Sequence, residues 1–204
     1  RPENGYWLRL RELCDRYGAL LILDEIPLAF GRTGKMFCCE HSGVIPDILI
    51  VGKGLGGGVF PMASIIAKNN LDIVQMKALG HYTHEKSPVG AAAALAMFDV
   101  IESEKLIDRS ASLGRKTKME LEGLFSNLSI VKEIRGLGLA LAIEMIRPDI
   151  SECILYECLS NGLSFKVSNG NVLTLTPPLT ITDQEMDEAV FIIKRAFQKA
   201  QSLL

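Results

Sequence analysis

The amino-acid sequence predicts an α/β fold, because patterns typical of helices and of buried strands alternate along the chain. Two predominantly apolar runs, at 19–23 and 47–51, are typical of parallel strands that are buried on both faces. Apolar residues at helical spacing precede the first run and recur after the second. A chain of 204 residues is long enough for one large and one small lobe.

The predicted elements divide into two groups. A first helix begins at Tyr6 and ends at Gly18, a residue typical of a helix C-cap. The composition changes near Asn127, which predicts a boundary between a parallel-sheet lobe, 1–130, and a smaller α+β lobe, 131–204. The helix at 88–102 is apolar nearly all round and is expected to be buried. Strands are predicted at 19–23, 47–51, 62–66, 131–134, 139–145, 163–167 and 172–175, and further helices at 106–128, 153–160 and 183–201.

Composition and charge narrow the class of protein. The 22 Lys and Arg against 24 Asp and Glu give a net charge of −2, so no global positive field recruits nucleic acid or anionic lipid. The apolar runs are far shorter than the ~20 residues that a membrane-spanning helix needs. The 5 cysteines, an odd number without CxxC spacing, favour a reducing compartment. These features predict a cytoplasmic protein with neither a nucleic-acid nor a membrane partner.

Charged residues follow the two most apolar strands, at the edge where open α/β sheets build ligand sites. Asp24 follows the first strand, and its carboxylate is equally typical of a structural group that caps the next turn. Lys53 follows the second, within the glycine-rich turn 52–58. Partial burial there would disfavour the charged amine and make it a nucleophile. This chemistry predicts a Schiff base with a carbonyl substrate or with pyridoxal phosphate.

Competing motifs fit less well. A P-loop is not predicted, because Asp47 stands where its pattern needs a glycine and Gly54 where it needs serine or threonine. The loose GxGxxG match at 52–57 is followed by a predicted strand instead of the required helix. No metal site is predicted, because 81–85 matches no zinc motif and 38–41 lacks a second spaced pair of ligands.

Several motifs together carry a family resemblance: LDEI at 23–26, FGRTGKMF at 30–37, PDI at 46–48 and GKGLGGG at 52–58. They resemble the class III pyridoxal-phosphate aminotransferases, and the resemblance covers essentially the whole chain. It implies a fold-type I pyridoxal-phosphate transferase, with part of the large domain at 1–130 and the small domain at 131–204. Later motifs follow in the family's order: Thr83, SP at 87–88, RGLG at 135–138 and PPL at 177–179.

The resemblance implies a role for each of four residues. Asp24 matches the carboxylate that pairs with the pyridine nitrogen of the cofactor, and Ile26 matches the branched residue on the ring face. Lys53 matches the Schiff-base lysine, which also moves protons as general base and acid. Thr83 matches a threonine that reaches the cofactor phosphate of the neighbouring subunit, which implies a homodimer. The implied reaction is amino-group transfer between an amine or amino acid and a keto acid.

The sequence departs from the family's pattern at two positions. Pro27 stands where many members have a glutamine near the phenolic oxygen of the cofactor. Thr174 stands where many members have an arginine that binds a substrate carboxylate. Its absence favours amines, sulfonates, phosphonates or larger ω-amino compounds as substrates. The candidates to compensate, each also typical of ordinary surface or structural charge, are Arg32, Lys86, Arg135 and Lys166.

Alternatives to an aminotransferase stay open. The same cofactor chemistry serves a lyase, a decarboxylase or an epimerase on the same scaffold. The family's chain is longer, and its amino-terminal half would hold the phosphate-binding loop and an aromatic residue on the second ring face. We therefore expect this chain to be a fragment that is inactive alone, or a truncated non-catalytic remnant.

Overall fold

The structure is a computed structural model that describes residues 5–74, 77 and 85–201. The described residues of Pro2–Gly31 and Lys35–Ile107 form one compact unit, the amino-terminal unit. Those of Arg32–Gly34 and Asp108–Leu204 form the other, the carboxyl-terminal unit. This division falls near residue 107 instead of 130, and the assignment of 1–130 and 131–204 to the family's two domains stays a prediction.

The amino-terminal unit is built on a three-stranded sheet. The helix α1 spans Tyr6–Tyr17 and ends at Gly18, which confirms the predicted C-cap and has a left-handed φ of 64°. The strands are β1 at Ile22–Asp24, β2 at Ile48–Val51 and β3 at Ser64–Ala67, in the order β1-β2-β3. The helix α2 covers Pro88–Ser103, and its first turn has Pro88 at N1 and the Ser87 hydroxyl accepting the N–H of Gly90.

This unit differs from the predicted buried parallel sheet. Strands β1 and β2 are parallel, but β3 runs antiparallel to β2, with Ile65 opposite Ile50. The expected burial of the first strand on both faces is wrong here, because Leu20 and Ile22 are 52% and 51% exposed. The physical reason is that described residues cover only one face of this strand, because Leu21, which points to the opposite side from Leu20 and Ile22, is 6% exposed.

Helix α2 also exposes more apolar surface than the sequence predicts. Gly90, Ala94 and Ile101 are its buried residues, whereas Val89 and Leu95 are largely exposed. An alanine-rich segment that is apolar all round has no periodicity that selects one buried face, so its pattern alone cannot show how much of it is covered. Within the described chain, the expectation that the helix is buried was wrong.

The carboxyl-terminal unit contains a four-stranded antiparallel sheet and three helices. Helix α4 begins five residues before its predicted start, because Pro148 takes the N1 position that suits a proline. The sheet order is β4-β5-β7-β6. The elements are α3 at Leu106–Phe125, β4 at Val131–Leu137, β5 at Ala140–Met145, α4 at Pro148–Ser160, β6 at Lys166–Ser168, β7 at Val172–Leu175 and α5 at Asp183–Gln201.

One face of this sheet builds the core of the unit. Leu141, Ile143 and Met145 alternate along β5 and are buried against side chains of α3, α4 and α5. Phe125 of α3 stacks on Phe197 of α5 with ring centroids 4.1 Å apart. The opposite face, which we call the polar face, carries the register row Arg135, Ala142, Thr174 and Lys166. Among the helices of the described residues, none is long and apolar enough to cross a membrane.

Candidate functional site

The two charged residues singled out in the sequence follow neighbouring parallel strands. Asp24 is the last residue of β1, and Lys53 comes two residues after Val51, the last residue of β2. In the register, Asp24 lies opposite Ile50. Because parallel strands end at the same edge of a sheet, the carboxylate and the amine both follow the carboxyl edge of the amino-terminal unit's sheet.

The carboxylate of Asp24 is oriented by its own turn. Its Oδ1 accepts the backbone N–H of Ile26 at 2.9 Å. This is the local hydrogen bond expected of an aspartate that caps a turn. The side chain is nevertheless exposed, so the same bond holds an accessible carboxylate in a defined orientation.

Ile26 lies against the backbone that leads into Lys53. A Cβ placed on Gly52 would be 3.5 Å from the Cγ1 atom of Ile26, an ordinary van der Waals distance. The branched side chain is half-buried. The turn after β1 and the turn after β2 therefore meet, and the apolar side chain of Ile26 lies beside the residue that precedes the amine.

Lys53 begins a short 3-10 helix, Lys53–Gly56, and has a left-handed backbone with a φ of 47°. A non-glycine residue rarely adopts this conformation, and such strain is found preferentially at functional sites. The expected partial burial of Lys53 was wrong, because its side chain is exposed. Its neighbours in the turn, Gly52 and Gly54, have no side chains with which to cover the amine.

Glu25 is a structural anchor that the sequence reasoning missed. It is 4% exposed, and its carboxylate accepts the backbone N–H groups of Cys38 at 2.9 Å and Cys39 at 2.7 Å. Burial, reinforced by the charge of Glu25, raises the pKa of the Cys39 thiol to about 11. The signal for Glu25 was the pair of consecutive carboxylates at the end of β1, since neighbouring residues of an extended chain point to opposite sides.

The two departures from the family's pattern lie in different units. Pro27 is exposed in the turn after β1. Thr174 lies in β7, and its hydroxyl is 2.9 Å from the hydroxyl of Ser168 in β6. Thr83, the residue expected to reach a neighbouring subunit, lies outside the described residues.

Three of the four candidate cations have protein partners. Lys86 is 3.8 Å from the carboxylate of Glu85, the residue before it. Arg135 is paired with Glu133 at 2.8 Å and Glu144 at 2.6 Å.

Arg32 donates to the carbonyl oxygens of Leu139, at 3.3 Å, and Pro177. Its burial lowers the pKa of its guanidinium. These bonds tie Arg32 to two loops of the carboxyl-terminal unit, which is a structural role. Lys166 is the candidate with neither an ion pair nor a side-chain hydrogen bond among the residues that the structure describes, and it lies directly opposite Thr174.

A cavity in the amino-terminal unit lies apart from these residues. Its volume is about 630 Å³, and its lining includes Cys39, Asp47 and Ile66 but neither Asp24 nor Lys53. In the described ranges, no group of three or more His, Cys, Asp or Glu side chains is placed to hold a metal ion.

Sequence and structure comparisons identify relatives over nearly the whole chain. The family model described as "Aminotransferase class-III" matches residues 1–197. The chain is 41% identical to an (R)-1-hydroxy-2-aminoethylphosphonate ammonia-lyase of Vibrio splendidus, over 97% of this chain and 43% of that protein. It is 38% identical to the mitochondrial ornithine aminotransferase of Arabidopsis thaliana, over 91% of this chain and 40% of that protein.

Solved structures agree with these relatives. An ornithine aminotransferase from Toxoplasma gondii, described with partial occupancy of pyridoxal phosphate at its active site, superposes with a TM-score of 0.92 at 33% identity, covering 98% of this chain and 48% of that one. An acetylornithine aminotransferase from Elizabethkingia anophelis has a TM-score of 0.89 at 35% identity, covering 97% and 52%. The chain thus has the fold of pyridoxal-phosphate aminotransferases and spans about half the length of its relatives. It belongs to the class-III aminotransferase family.

Proposed function

We propose that this chain belongs to a pyridoxal-phosphate-dependent aminotransferase and contains its Schiff-base lysine, Lys53. The observation that carries the proposal is the placement of Asp24 and Lys53 at the carboxyl ends of two neighbouring parallel strands. The reaction would transfer an amino group between an amine or amino acid and a keto acid. The proposal concerns the whole protein, since the chain spans about half the length of its relatives.

The residues at this edge fit the cofactor chemically. An accessible amine, an oriented carboxylate and a branched apolar side chain are present, and they are Lys53, Asp24 and Ile26. When bound, pyridoxal phosphate supplies a carbonyl that condenses with amines and a pyridine ring that accepts electrons from the substrate. The left-handed backbone of Lys53 supports a functional role for this residue. Strain of this kind costs about 1–3 kcal/mol and is found mainly at active sites and ligand-binding positions.

Each residue would do a separate task. Lys53 would bind the cofactor through its amine and, once a substrate amine has displaced it, would take and return a proton at the substrate carbon. Asp24 would hold a proton at the pyridine nitrogen, and its bond from the Ile26 N–H pre-orients it for this task. Ile26 would pack on the ring face and exclude water from it.

Assembly and location are part of the proposal. A homodimer is supported by the match of Thr83 to the family's threonine that reaches the neighbouring subunit, and light scattering of the full-length protein tests it.

A cytoplasmic location is supported by the cysteine content. The number of cysteines, 5, is odd, which favours a reducing compartment. Fractionation of the native host tests this location.

The test of the function is reductive trapping in the full-length protein. Borohydride should fix the cofactor covalently to the peptide that contains Lys53, and mass spectrometry should locate it there. Lys53→Ala should abolish the label, whereas Lys35→Ala, which removes an exposed lysine of the same unit, should leave it. A label on another lysine, or one that survives in Lys53→Ala, would remove Lys53 from this role.

A lyase is the second candidate function, and two observations favour it. Thr174 stands in place of the family's carboxylate-binding arginine, and the relative at 41% identity is named an ammonia-lyase of a hydroxylated aminophosphonate. A lyase breaks the carbon–nitrogen bond of one substrate and releases ammonia without a keto acid. Ammonia release from aminophosphonates in the absence of any keto acid would select the lyase; strict dependence on a keto-acid acceptor would select the aminotransferase.

A further inference from the structure

A cavity lies inside the carboxyl-terminal unit, between helices α3 and α5 and beside strands β5 and β7. Its volume is about 230 Å³. Every described residue that lines it belongs to this unit, so its walls come from one compact part of the chain. A dry cavity of ~150 Å³ can hold one benzene molecule, so this one has room for a single ring that carries a few further atoms.

The inner wall of the cavity is apolar. Leu121 of α3, Leu141 of β5 and Ile193 of α5 line it and are each at most 2% exposed. Met186 and Val190 line it from the same face of α5 as Ile193, at helical spacing. No charged side chain is among the described residues of the lining. A charged ligand would lose its hydration here without gaining an ionic partner, so the wall selects a neutral molecule.

One buried polar group stands in this apolar wall. Thr117 of α3 is 2% exposed and lines the cavity, and its hydroxyl forms no hydrogen bond with any residue that the structure describes. Buried hydroxyls are normally paired, because an unpaired one costs free energy. In the described part of the chain, Arg11 Nε is the side-chain polar atom that is both sealed from solvent and unpaired, so the Thr117 hydroxyl keeps accessible surface. That surface is available to a molecule in the cavity.

The other hydroxyls of the described lining have partners or access to water. The Oγ1 atom of Thr174 is 2.9 Å from the Oγ atom of Ser168. Ser164 and Thr176 are exposed, and they mark where the cavity opens to solvent. The hydroxyl of Thr117 is thus the group in this lining that a bound molecule would complete.

We propose that this cavity binds a small, neutral, mainly apolar molecule with one hydrogen-bonding group, such as a phenol, and that this group pairs with the hydroxyl of Thr117. A threonine hydroxyl can donate or accept, so it can pair with a hydroxyl or a carbonyl group of the ligand. Amino acids, keto acids and pyridoxal phosphate are charged and do not fit this wall. The site therefore lies outside the proposed function and is tested separately from it.

The experiment measures binding of p-cresol to the full-length protein saturated with pyridoxal phosphate. This phenol has one ring, one methyl group and one hydroxyl group, and it is uncharged at neutral pH. Calorimetry should give a Kd below about 1 mM. The compound should also raise the melting temperature, because a ligand that binds the folded state alone stabilises it. Toluene, which lacks the hydroxyl, should bind more weakly than p-cresol.

Two substitutions separate the hydrogen bond from the space itself. Thr117→Val keeps the shape of the side chain and removes the hydroxyl, so it should weaken p-cresol binding about two- to tenfold and leave toluene binding as tight or tighter. Ala189→Leu adds apolar atoms to the lining from α5 and should weaken binding of both compounds at least about tenfold. Ser112→Ala, the matched control, removes an exposed hydroxyl from the same helix as Thr117 and should change neither Kd. Cooperative thermal melts check that each variant is folded.

Methionine methyl signals in NMR spectra locate the ligand. Met186 lines the cavity, whereas Met119 of α3 is 65% exposed. With isotopically labelled methionine, p-cresol should shift the signal of Met186, which Met186→Leu assigns, and leave that of Met119 in place.

Three results would overturn the inference. The first is a wild-type protein that does not bind p-cresol. The second is an equal loss of affinity for p-cresol and toluene in Thr117→Val, which would assign the effect to the shape of the cavity instead of the hydroxyl. The third is binding that leaves the signal of Met186 unchanged, which would place the ligand elsewhere.

Discussion

The carboxylate of Glu25 accepts the backbone N–H of Cys39 at 2.7 Å, and so joins the end of β1 to the 3-10 helix Cys38–Ser42. Glu25→Gln replaces one acceptor oxygen by an amide nitrogen and leaves a backbone N–H without its partner. We expect the melting temperature to fall by about 2–12 °C, because a buried polar group that loses its partner costs about 1–3 kcal/mol and each kcal/mol shifts the melting temperature of a chain of this size by about 2–4 °C.

Glu40 provides the control for this prediction. It also accepts a backbone N–H, that of Phe37 at 2.7 Å, but it is exposed. Water can replace a bond at such a site, so Glu40→Gln should change the stability by less than about 0.5 kcal/mol. Equal shifts of the melting temperature in the two variants would show that the burial of Glu25 does not matter.

We expect a glycine-to-alanine substitution to have opposite effects on stability at two positions of helix α3. A Cβ on Gly114 would overlap the carbonyl group of Gly138, whereas a Cβ on Gly123 would meet nothing within 4 Å. Gly114→Ala should destabilise the protein by about 1–3 kcal/mol through overpacking. Gly123→Ala should stabilise it by up to about 1 kcal/mol, because alanine is the better helix former. Urea unfolding measures both changes, and destabilisation by both would contradict the contact at Gly138.

We expect the carboxylate of Asp47 to stabilise the folded protein by an amount that depends on pH. Hydrogen bonds from Lys68, from the N–H of Leu21 and from Arg11 hold the pKa of its carboxyl well below its usual range. Because the native-state pKa is lowered, the stabilisation is fully present above the unfolded-state pKa and is lost as the pH falls towards the native one. Asp47→Asn should lower the melting temperature by about 3–6 °C near neutral pH.

The difference between wild type and Asp47→Asn should be constant above about pH 5 and should shrink below about pH 4, near the ordinary pKa of aspartate. Thermal melts at several pH values measure it. Asp72→Asn, which changes an exposed aspartate of the same unit, should show no such trend. A difference that grows on acidification would have the wrong sign for a lowered pKa.

We expect substitution of Asp24 to reduce activity while the cofactor stays attached to Lys53. Asp24→Asn keeps the shape of the side chain and its bond from the Ile26 N–H, but it removes the charge that would hold a proton at the pyridine nitrogen. In the full-length protein we expect kcat to fall about 10²-fold or more, since preorganised electrostatic groups contribute effects of this size. The borohydride label at Lys53 should remain, and full activity of the variant would exclude the proposed role of Asp24.

Much of the fold follows from local patterns. Strand β7 at Val172–Leu175 and helix α5 at Asp183–Gln201 have the predicted bounds. Gly18 ends α1 as the predicted C-cap. These features depend on periodicity, capping and glycine geometry, which are properties of a few consecutive residues. The order of Asp24, Lys53 and the later motifs was likewise sufficient to identify the family.

Other features required the tertiary structure, because they join residues that are distant along the chain. No local pattern states that β3 runs antiparallel to β2, that Glu25 is anchored to Cys39, or that Lys53 is exposed. The four candidate cations were equivalent in the sequence. Strand register separated them, because pairing across β6 and β7 places Lys166 opposite Thr174 while carboxylates already neutralise Arg135. Chain order thus identified the family, because its motifs are local in the sequence, whereas strand pairing decided which candidate cations already have carboxylate partners.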